Sequence, residues 1–511
     1  MNIMMLLEMA SATFPDRTAF VDGHNGARLT YQELFESAGK QAQLIKDGGF
    51  SRLGMLDVSS LATPTGLFSA AWAGTPYVPI NYRLTQPEIE ALLGRITPAR
   101  LITENHDDQR FSDLADVAVL ARDEFLKQAN SDTDTASEWS MDPEETAVLL
   151  FTSGTTGAPK AAVLRHKHLV SYILGSVEFA CADEKEAALV CVPPYHIAGI
   201  AAILSSVYSG RRVVQLADFS AQRWIELARE EKVSTAFVVP TMLARIVEAL
   251  QDQPSANMPH LQSLSYGGGK MPLSVIERAM SLFPDTDFTN AYGLTETSST
   301  IAVLGPDDHR LAASATDSAI KQRLVSAGQP LPGIEIEIRD DEGQVLGAGE
   351  RGEIYVRGEQ VSGEYEGRGS VTDNDGWFPT RDAGSIDAEG YLYLEGRADD
   401  VIVRGGENMS PGEIEDVLLE HVAVRDAACV GIPSEQWGEA VAAAVVLKSD
   451  AAAPSQELQT KLQQWVKTHM RSSRVPEILE FWEELPYNET GKLLRRVVKE
   501  KLSQSEPTDL G

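Results

Sequence analysis

The chain has 511 residues, 43% of them hydrophobic, which exceeds what one hydrophobic core usually supports, so we expect at least two domains. Its formal net charge of −31 argues against nucleic acid or an anionic membrane surface as the main partner, because both require clustered Lys and Arg. The three cysteines, Cys181, Cys191 and Cys429, lack paired spacing, which argues against a disulfide framework or a cysteine-rich zinc site and fits a reducing cytoplasm.

The first predicted element is a helix at the N-terminus. Residues 1–10 are apolar, but they lack a basic n-region and contain Glu8, which is typical of an amphipathic helix rather than a signal peptide. No apolar run reaches the length of a membrane span. Further along, the acidic residues 131–146 predict an exposed connection, and residues 147–151 predict an apolar strand.

Strand and helix patterns alternate through the middle of the chain. Short apolar segments at 212–216, 235–239 and 261–266 predict strands, and helical patterns at 221–232 and 241–251 separate them. This alternation predicts βαβ units and mostly parallel sheets, which is the α/β fold class.

The pattern changes near Gly396. Strands are predicted at 390–394 and 401–404, on either side of a Gly-Arg-Ala-Asp-Asp run. We place the main domain boundary there. The prediction is a large N-terminal domain of βαβ-type layered sheets, residues 1–395, and a small α+β C-terminal domain, residues 396–511, which is an ordinary domain size.

A helix start is predicted at Ser410. Serine would be the N-cap, Pro411 the first helical residue and Glu413 the third residue after the cap, which is the pattern of a capping box.

The run from Thr152 to Lys160, TSGTTGAPK, directly follows an apolar strand. Glycines let the backbone turn and bring N–H groups against anionic oxygens, while hydroxyls and an ammonium add charge-assisted donors. It is not a Walker A loop, because two residues separate Gly154 from Gly157 and Lys160 follows Pro159. The run predicts a phosphate-binding loop, with an ordinary polar β-turn as the alternative.

Four further motifs follow in a fixed order: AYGLTET at 291–297, WFPTRDAG at 377–384, GRADDVI at 396–402 and NETGK at 488–492. With TSGTTGAPK, they resemble the motifs of the adenylate-forming superfamily, which contains acyl-CoA synthetases, luciferases and nonribosomal adenylation domains. The resemblance covers residues from about 29 to 496. It implies an ATP-dependent carboxylate ligase with a mobile C-terminal domain, most like a freestanding acyl- or aryl-CoA synthetase.

The resemblance also implies which residues bind ATP. They are Thr152, Ser153, Gly154, Thr155, Thr156, Gly157, Lys160, Gly267, Gly268, Gly269, Asn290, Ala291, Tyr292, Gly293, Asp382 and Arg397. The Tyr292 ring offers a face for adenine, and the Asp382 carboxylate is suited to accept hydrogen bonds from the ribose hydroxyls. For the glycine triplet alone, a plain turn is an equal alternative.

Two positions depart from the family pattern. Arg381 precedes Asp382 where the family most often has glycine, and Gly269-Lys270 stands where Ala-Pro or a similar pair is common. These departures concern the edge of the nucleotide pocket.

The catalytic residues implied by the resemblance are Lys492, Thr295, Glu296 and His196, with Asp399 as the hinge. Lys492 would bridge the acyl carboxylate and the α-phosphate, and Thr295 would donate to the α-phosphate. Glu296 and Thr152 would hold Mg²⁺, which prefers few carboxylates plus phosphate oxygens and water. His196, in PPYHIAG, would close the acyl pocket. The alternatives are a solvated lysine, an exposed Thr-Glu pair and a packed structural histidine.

The chemistry implied is activation of a carboxylate, whose oxygen is a poor leaving group until AMP is attached. Charge builds on the α-phosphoryl group, so catalysis should consist largely of positioning, cations and fixed donors. The C-terminal domain would then rotate about Asp399 and admit the CoA thiol. An amide synthetase that uses an amine is the alternative. A nucleotide-binding regulator is a third, which Lys492, Glu296 and Asp382 together argue against.

The pocket walls expected at 237–241, 266–268 and 297–301 contain no charged residue, which favours an apolar acyl or aryl carboxylate over an α-amino acid. Basic side chains that would meet the CoA phosphates, or form a solvated helix face, are Lys467, His469, Arg471 and Arg474. The sequence leaves the oligomeric state open, with a homodimer as one option.

Overall fold

The structure is a computed structural model that describes residues 1–104, 110–111, 114–130, 134–152, 159–340, 342–397, 400–404, 407–434, 437–449, 451–488 and 493–504. The helices, in chain order, are α1 (Met4–Thr13), α2 (Tyr31–Asp47), α3 (Ala62–Ala73), α4 (Gln86–Leu93), α5 (Arg122–Ala129), α6 (His166–Ser176), α7 (Ile197–Ser209), α8 (Ala221–Glu230), α9 (Pro240–Ala249), α10 (Leu273–Leu282), α11 (Pro306–Ser314), α12 (Ser318–Gln322), α13 (Pro411–Leu419), α14 (Gln456–His469) and α15 (Arg495–Leu502).

The strands, in chain order, are β1 (Thr18–Asp22), β2 (Arg28–Thr30), β3 (Arg52–Leu56), β4 (Tyr77–Pro79), β5 (Ala99–Thr103), β6 (Val117–Ala121), β7 (Thr146–Thr152), β8 (Lys160–Arg165), β9 (Ala187–Val190), β10 (Arg212–Gln215), β11 (Thr235–Val238), β12 (Ser263–Gly267), β13 (Asp287–Leu294), β14 (Ser299–Leu304), β15 (Gln329–Pro330), β16 (Glu335–Arg339), β17 (Gly352–Arg357), β18 (Glu364–Tyr365), β19 (Gly369–Ser370), β20 (Phe378–Ile386), β21 (Leu392–Arg397), β22 (Ile402–Arg404), β23 (Glu407–Met409), β24 (Val424–Ser434), β25 (Gly438–Leu447) and β26 (Ile478–Phe481).

The chain forms two compact units. The first contains Met1–Glu335 and Val356–Phe378, and the second contains Ile336–Tyr355 and Pro379–Gly511. The boundary expected near Gly396 lies inside the range of the second unit, and as a boundary between functional domains it stays a prediction.

The first unit is built on two mixed sheets. One has the strand order β15-β14-β13-β12-β11-β9-β10-β1-β2, and the other has the order β19-β18-β8-β7-β4-β3-β5-β6. Strands β13, β12, β11, β9, β10 and β1 pair in parallel, as do β7, β4, β3, β5 and β6. The antiparallel pairs are β1–β2, β13–β14, β14–β15, β7–β8, β8–β18 and β18–β19. The predicted α/β class with mostly parallel strands is therefore confirmed.

Helices that cover these sheets follow the apolar pattern of their sequences. In α8, the Ser220 hydroxyl caps the helix by accepting from the Arg223 N–H at 3.2 Å, and Trp224, Ile225 and Leu227 face the core. In α3, by contrast, the residues from Ala62 to Trp72 are all buried, because that helix is apolar or small on every side.

The N-terminal helix α1 is more deeply buried than an amphipathic surface helix. Met4, Leu6, Leu7 and Ala10 are fully buried in the main core. Among the described residues, we find no helix with the length and apolar character needed to cross a bilayer. The cytoplasmic location and the homodimer stay predictions.

The second unit also contains two sheets. Strands β16-β17-β20-β21 form one, and β23-β22-β25-β24, with β26 paired to β25, form the other. Side chains alternate across β24: Cys429 packs with α13 and α14, whereas Ala428 and Val430 pack with α15. The part of the chain predicted as a small C-terminal α+β domain thus contains a sheet with helices on both faces.

The helix start at Ser410 is where the sequence predicted it, but its cap is different. Pro411 is the first residue of α13, as expected. The Ser410 hydroxyl, however, donates to the Glu395 carbonyl at 2.7 Å and makes no cap hydrogen bond. A distant carbonyl has replaced the local N–H partner on which the capping-box prediction depended.

Candidate active site

Thr152 and Lys160 occupy the two ends of the predicted phosphate loop. They are cross-strand partners in the antiparallel pair β7 and β8, and the Thr152 hydroxyl donates to the Lys160 carbonyl at 3.4 Å. The remaining loop predictions, Ser153, Gly154, Thr155, Thr156 and Gly157, lie outside the described residues.

The glycine triplet and the second nucleotide motif lie side by side. In the parallel pair β12 and β13, Gly267 is opposite Ala291 and Tyr266 is opposite Asn290. Gly268 directly follows β12 with φ +82°, a conformation that favours glycine. Ligands in open α/β sheets bind outside the carboxyl ends of the strands, which is where these residues lie.

The turn after β13 carries Thr295 and Glu296. A 3-10 turn spans Thr295–Thr297, and the chain returns antiparallel as β14. Gly293 has no room for a side chain, because a Cβ there would lie 1.8 Å from the Ser299 carbonyl oxygen.

Backbone strain and an unpaired hydroxyl mark the same turn. Ser298 and Ser299 have φ of 56° and 106°, values that side-chain-bearing residues rarely adopt. Such strain clusters at ligand sites. The Ser298 hydroxyl is also buried without a hydrogen-bond partner in the described part of the chain. A polar ligand atom at this turn fits both observations.

Glu296 is nearly buried, with 9% of its surface exposed, and its carboxylate accepts a hydrogen bond from the Tyr365 hydroxyl at 2.6 Å. The Lys160 ammonium lies over the same tyrosine ring, 5.2 Å from its centroid. The structure therefore brings together two predicted site residues that are far apart in sequence.

Within the described residues, no cluster of three or more His, Cys, Asp or Glu side chains is arranged to hold a metal ion. A single carboxylate such as Glu296 suits Mg²⁺, which in nucleotide sites is bound by one or two carboxylates plus substrate phosphates.

Sequence reasoning missed Tyr365. It lies outside the quoted motifs, in a polar glycine-containing stretch, and its hydroxyl partner is 69 residues away. The only local signal is an aromatic residue in a segment without apolar periodicity.

His196 is the residue immediately before helix α7. Burial, with a smaller contribution from the positive charge of Arg83, lowers the pKa of the His196 imidazole to about 4, so the ring is neutral near pH 7. Its Nε2 atom and the Tyr195 hydroxyl are buried and have no hydrogen-bond partner among the described residues. The two rings are in contact, with centroids 4.6 Å apart.

The expected acyl-pocket walls carry no charged side chain. Their apolar residues Val238, Val239 and Ile301 are buried, and Tyr266 in the same walls is buried with its hydroxyl 2.9 Å from His309 Nε2. Burial raises the pKa of the Tyr266 hydroxyl, which therefore stays protonated.

Asp382 and Arg397 belong to the second unit. They are cross-strand partners in β20 and β21, and Arg397 Nε lies 3.1 Å from Asp382 Oδ1. Thr380 supports both residues, because its hydroxyl accepts from the Asp382 N–H at 3.1 Å and its carbonyl accepts from Arg397 at 3.0 Å. Arg381, which stands where the family usually has glycine, has φ +63°, a conformation that favours glycine.

Lys492 and Asp399 lie outside the described residues. The residues flanking the lysine loop are described: Tyr487 forms an antiparallel bridge with Leu493.

Of the basic side chains suggested for CoA, Arg474 forms an ion pair with Glu413 at 3.1 Å. His469 packs on the Trp465 ring at 4.1 Å between centroids.

The chain is similar to known proteins over most of its length. Residues 7–366 match the AMP-binding enzyme family, and residues 413–492 match the AMP-binding enzyme C-terminal domain. A fatty acid–[acyl-carrier-protein] ligase of Streptomyces coeruleorubidus is 32% identical over 496 residues, covering 93% of this chain and 92% of that protein. A feruloyl-CoA synthase of an Amycolatopsis species is 30% identical over 491 residues, covering 94% and 95%.

A solved structure is similar over almost the whole chain. It is o-succinylbenzoate CoA synthetase from Bacillus subtilis in complex with its acyl-adenylate intermediate, with a TM-score of 0.83, 27% identity and 99% of each chain covered. The chain therefore belongs to the AMP-binding enzymes, the adenylate-forming superfamily that its motifs resemble, and it is an ATP-dependent carboxylate ligase.

Proposed function

We propose that the enzyme converts an apolar acyl or aryl carboxylate and ATP into an acyl-adenylate and pyrophosphate, and then transfers the acyl group to CoA. The observation that carries the proposal is the meeting of Lys160 and Glu296 on Tyr365. One cation and one carboxylate from two nucleotide motifs are thereby held at one place.

The first half-reaction needs charge stabilisation more than covalent chemistry. A carboxylate oxygen attacks the α-phosphorus, pyrophosphate leaves, and negative charge grows on the α-phosphoryl oxygens. Lys160 would supply a positive charge to the phosphates, and the Thr295 hydroxyl would donate to the α-phosphate. Lys492 would bridge the carboxylate and the α-phosphate.

Glu296, with Thr152, would hold Mg²⁺, which when bound neutralises charge on the phosphates. The nearly buried position of Glu296 and the hydrogen bond from Tyr365 favour this role, because together they limit the orientations of the carboxylate. Asp382, oriented by Arg397, would accept hydrogen bonds from the ribose hydroxyls.

The acyl site is proposed to take an uncharged acyl chain or ring. The wall segments contain no formal charge, and the lowered pKa of His196 leaves its ring neutral. A buried cation that would recognise a second substrate charge is therefore missing from these segments. Two of the three relatives described above are named for a fatty acid and for a feruloyl group, which belong to this class, whereas the third is named for o-succinylbenzoate, which carries a second carboxylate.

CoA is proposed as the acceptor because two of the three relatives described above are named CoA synthases or synthetases. The third relative is named for transfer to an acyl-carrier protein, which presents the same kind of thiol. An amine acceptor remains the competing proposal.

The test is product analysis. The enzyme is incubated with ATP, Mg²⁺ and a panel of fatty and aryl carboxylates, with CoA, a phosphopantetheinylated carrier protein or simple amines as acceptors. We expect CoA thioester as the main product, with AMP and pyrophosphate in equal amounts. If the main product is a carrier-bound thioester or an amide, the proposal that CoA is the acceptor is wrong. If no AMP forms with any carboxylate, the proposed adenylation reaction is wrong.

A further inference from the structure

The Tyr365 side chain contacts two charged residues, one through its hydroxyl and the other through its ring face. Its hydroxyl donates to Glu296 Oε1 at 2.6 Å, and its ring face lies 5.2 Å from the Lys160 ammonium. A hydrogen bond to a carboxylate and a cation–π contact are both favourable, and together they fix the ring between opposite charges.

The segment from Gln360 to Tyr365 forms hydrogen bonds both to the chain around the Glu296 turn and to strand β8. The Gln360 amide donates to the carbonyls of Thr297 at 3.0 Å and Thr300 at 2.7 Å. Tyr365 pairs with Ala162 of β8, which begins at Lys160.

Ser362 adds a second pair of links. Its N–H donates to the Glu296 carbonyl at 2.8 Å, and its hydroxyl donates to the Val163 carbonyl. The backbone beneath the tyrosine is therefore held on one side to the Glu296 turn and on the other to β8.

We propose that Tyr365 is a positioning residue that holds Glu296 and Lys160 apart and oriented for magnesium-bound ATP. This inference rests on the proposed function. The partly buried Lys160 and the nearly buried Glu296 both contact this one side chain, and a direct ion pair between these opposite charges would neutralise both. The tyrosine gives each charge a partner of its own, so the carboxylate stays available to the metal ion and the ammonium to the phosphates.

Two substitutions separate the two contacts. Tyr365→Phe removes the hydroxyl but keeps the ring under Lys160, whereas Tyr365→Leu removes both. Calorimetric titration measures the affinity of each variant for ATP with Mg²⁺ and for ATP with EDTA, so the readout is binding rather than turnover.

For Tyr365→Phe, we expect affinity for magnesium-bound ATP to fall by about tenfold, as for a lost hydrogen bond to a charged group, and affinity for metal-free ATP to change by less than about twofold. Tyr365→Leu should weaken both, because Lys160 also loses its support. A general loss of structure in Tyr365→Phe would lower both affinities. A loss of affinity for magnesium-bound ATP alone therefore identifies a positioning role.

Tyr393→Phe is the matched control, because it removes another tyrosine hydroxyl that donates to a carboxylate, Asp387, at 3.4 Å. It should leave both affinities unchanged. In a Glu296→Gln background, adding Tyr365→Phe should cause little further loss, since the tyrosine acts through the carboxylate.

The failures are distinguishable. If wild type binds ATP no better with Mg²⁺ than with EDTA, the proposed role of Glu296 fails. If wild type shows the magnesium effect and Tyr365→Phe keeps it in full, the positioning role of Tyr365 is wrong. If Tyr365→Phe lowers thermal stability, the double variant decides: a loss as large in the Glu296→Gln background as in wild type would also overturn the inference.

Discussion

Arg397 holds the Asp382 carboxylate from the neighbouring strand, with Arg397 Nε 3.1 Å from Asp382 Oδ1. The ion pair is partly buried, since 16% of the Asp382 side chain and 30% of the Arg397 side chain are exposed. Such a pair orients a carboxylate more than it stabilises the fold. Orientation is what an acceptor for two ribose hydroxyls needs.

Asp382→Ala should therefore weaken ATP binding far more than binding of the carboxylate substrate. Hydrogen bonds to a charged acceptor contribute about 1.5–3 kcal/mol each, so the loss of ATP affinity should be at least tenfold. Calorimetry with ATP and with the free carboxylate measures both. Glu389→Ala, which removes an exposed carboxylate from the turn between the same strands, is the control, and an ATP affinity equal in the two variants would refute the ribose role.

Arg381→Gly should stabilise the enzyme relative to Arg381→Ala by about 1 kcal/mol, because φ +63° strains any residue with a Cβ. Both substitutions remove the same exposed ion pair with Glu353, whose Nε–Oε1 distance is 3.7 Å, so its small contribution cancels in the comparison. Urea unfolding of the two variants measures the difference. An alanine variant as stable as the glycine variant would mean that Arg381 is unstrained in solution.

Asp57 should make stability depend on pH. Its side chain is fully buried, 3.0 Å from Arg122, and burial outweighs this attraction and raises the pKa of the carboxyl from 3.8 to about 7. The folded state thus favours the protonated form. The contribution of this protonation to the free energy of unfolding is complete below about pH 3.8 and is lost as the pH rises to about 7. The total loss is about 4 kcal/mol at most.

We compare the melting temperatures of wild type and Asp57→Asn at each pH. The wild-type value minus the variant value should fall between about pH 4.5 and about pH 7.5, the range in which the carboxyl titrates, and should level off at higher pH. The substitution removes the titration and keeps the size of the side chain. A difference that rises with pH would mean that attraction to Arg122 dominates burial.

Asp399→Pro should separate the two half-reactions. Proline fixes φ near −65° and removes a backbone donor, which blocks a pivot without touching the substrates. Adenylation should stay largely intact while transfer to CoA is suppressed, so acyl-AMP accumulates. Single-turnover measurement of pyrophosphate release beside thioester formation decides this, and equal loss of both steps would show that Asp399 is not the hinge.

Much of the fold followed from local sequence pattern. The parallel strands β10, β11 and β12 and the helices between them were predicted because short apolar segments alternate with helical patterns there. The order of the motifs indicated the family, since five patterned segments rarely coincide by chance.

Long-range side-chain contacts could not be predicted in this way. The partner of the Tyr365 hydroxyl and that of the Ser410 hydroxyl depend on how strands distant in sequence are packed. A local pattern gives the donors of a segment but not the acceptors that folding brings to them. For Ser410, this made the capping-box prediction wrong.

The most direct test of the account is carboxylate-dependent exchange of labelled pyrophosphate into ATP, measured without CoA for wild type and for Lys492→Ala. Wild type should catalyse exchange only when a suitable acyl or aryl carboxylate is present. The variant should be slower by a factor of several hundred or more, as expected for loss of a charge that stabilises the transition state. Exchange in the variant near the wild-type rate, or wild-type exchange that does not depend on a carboxylate, would contradict the account.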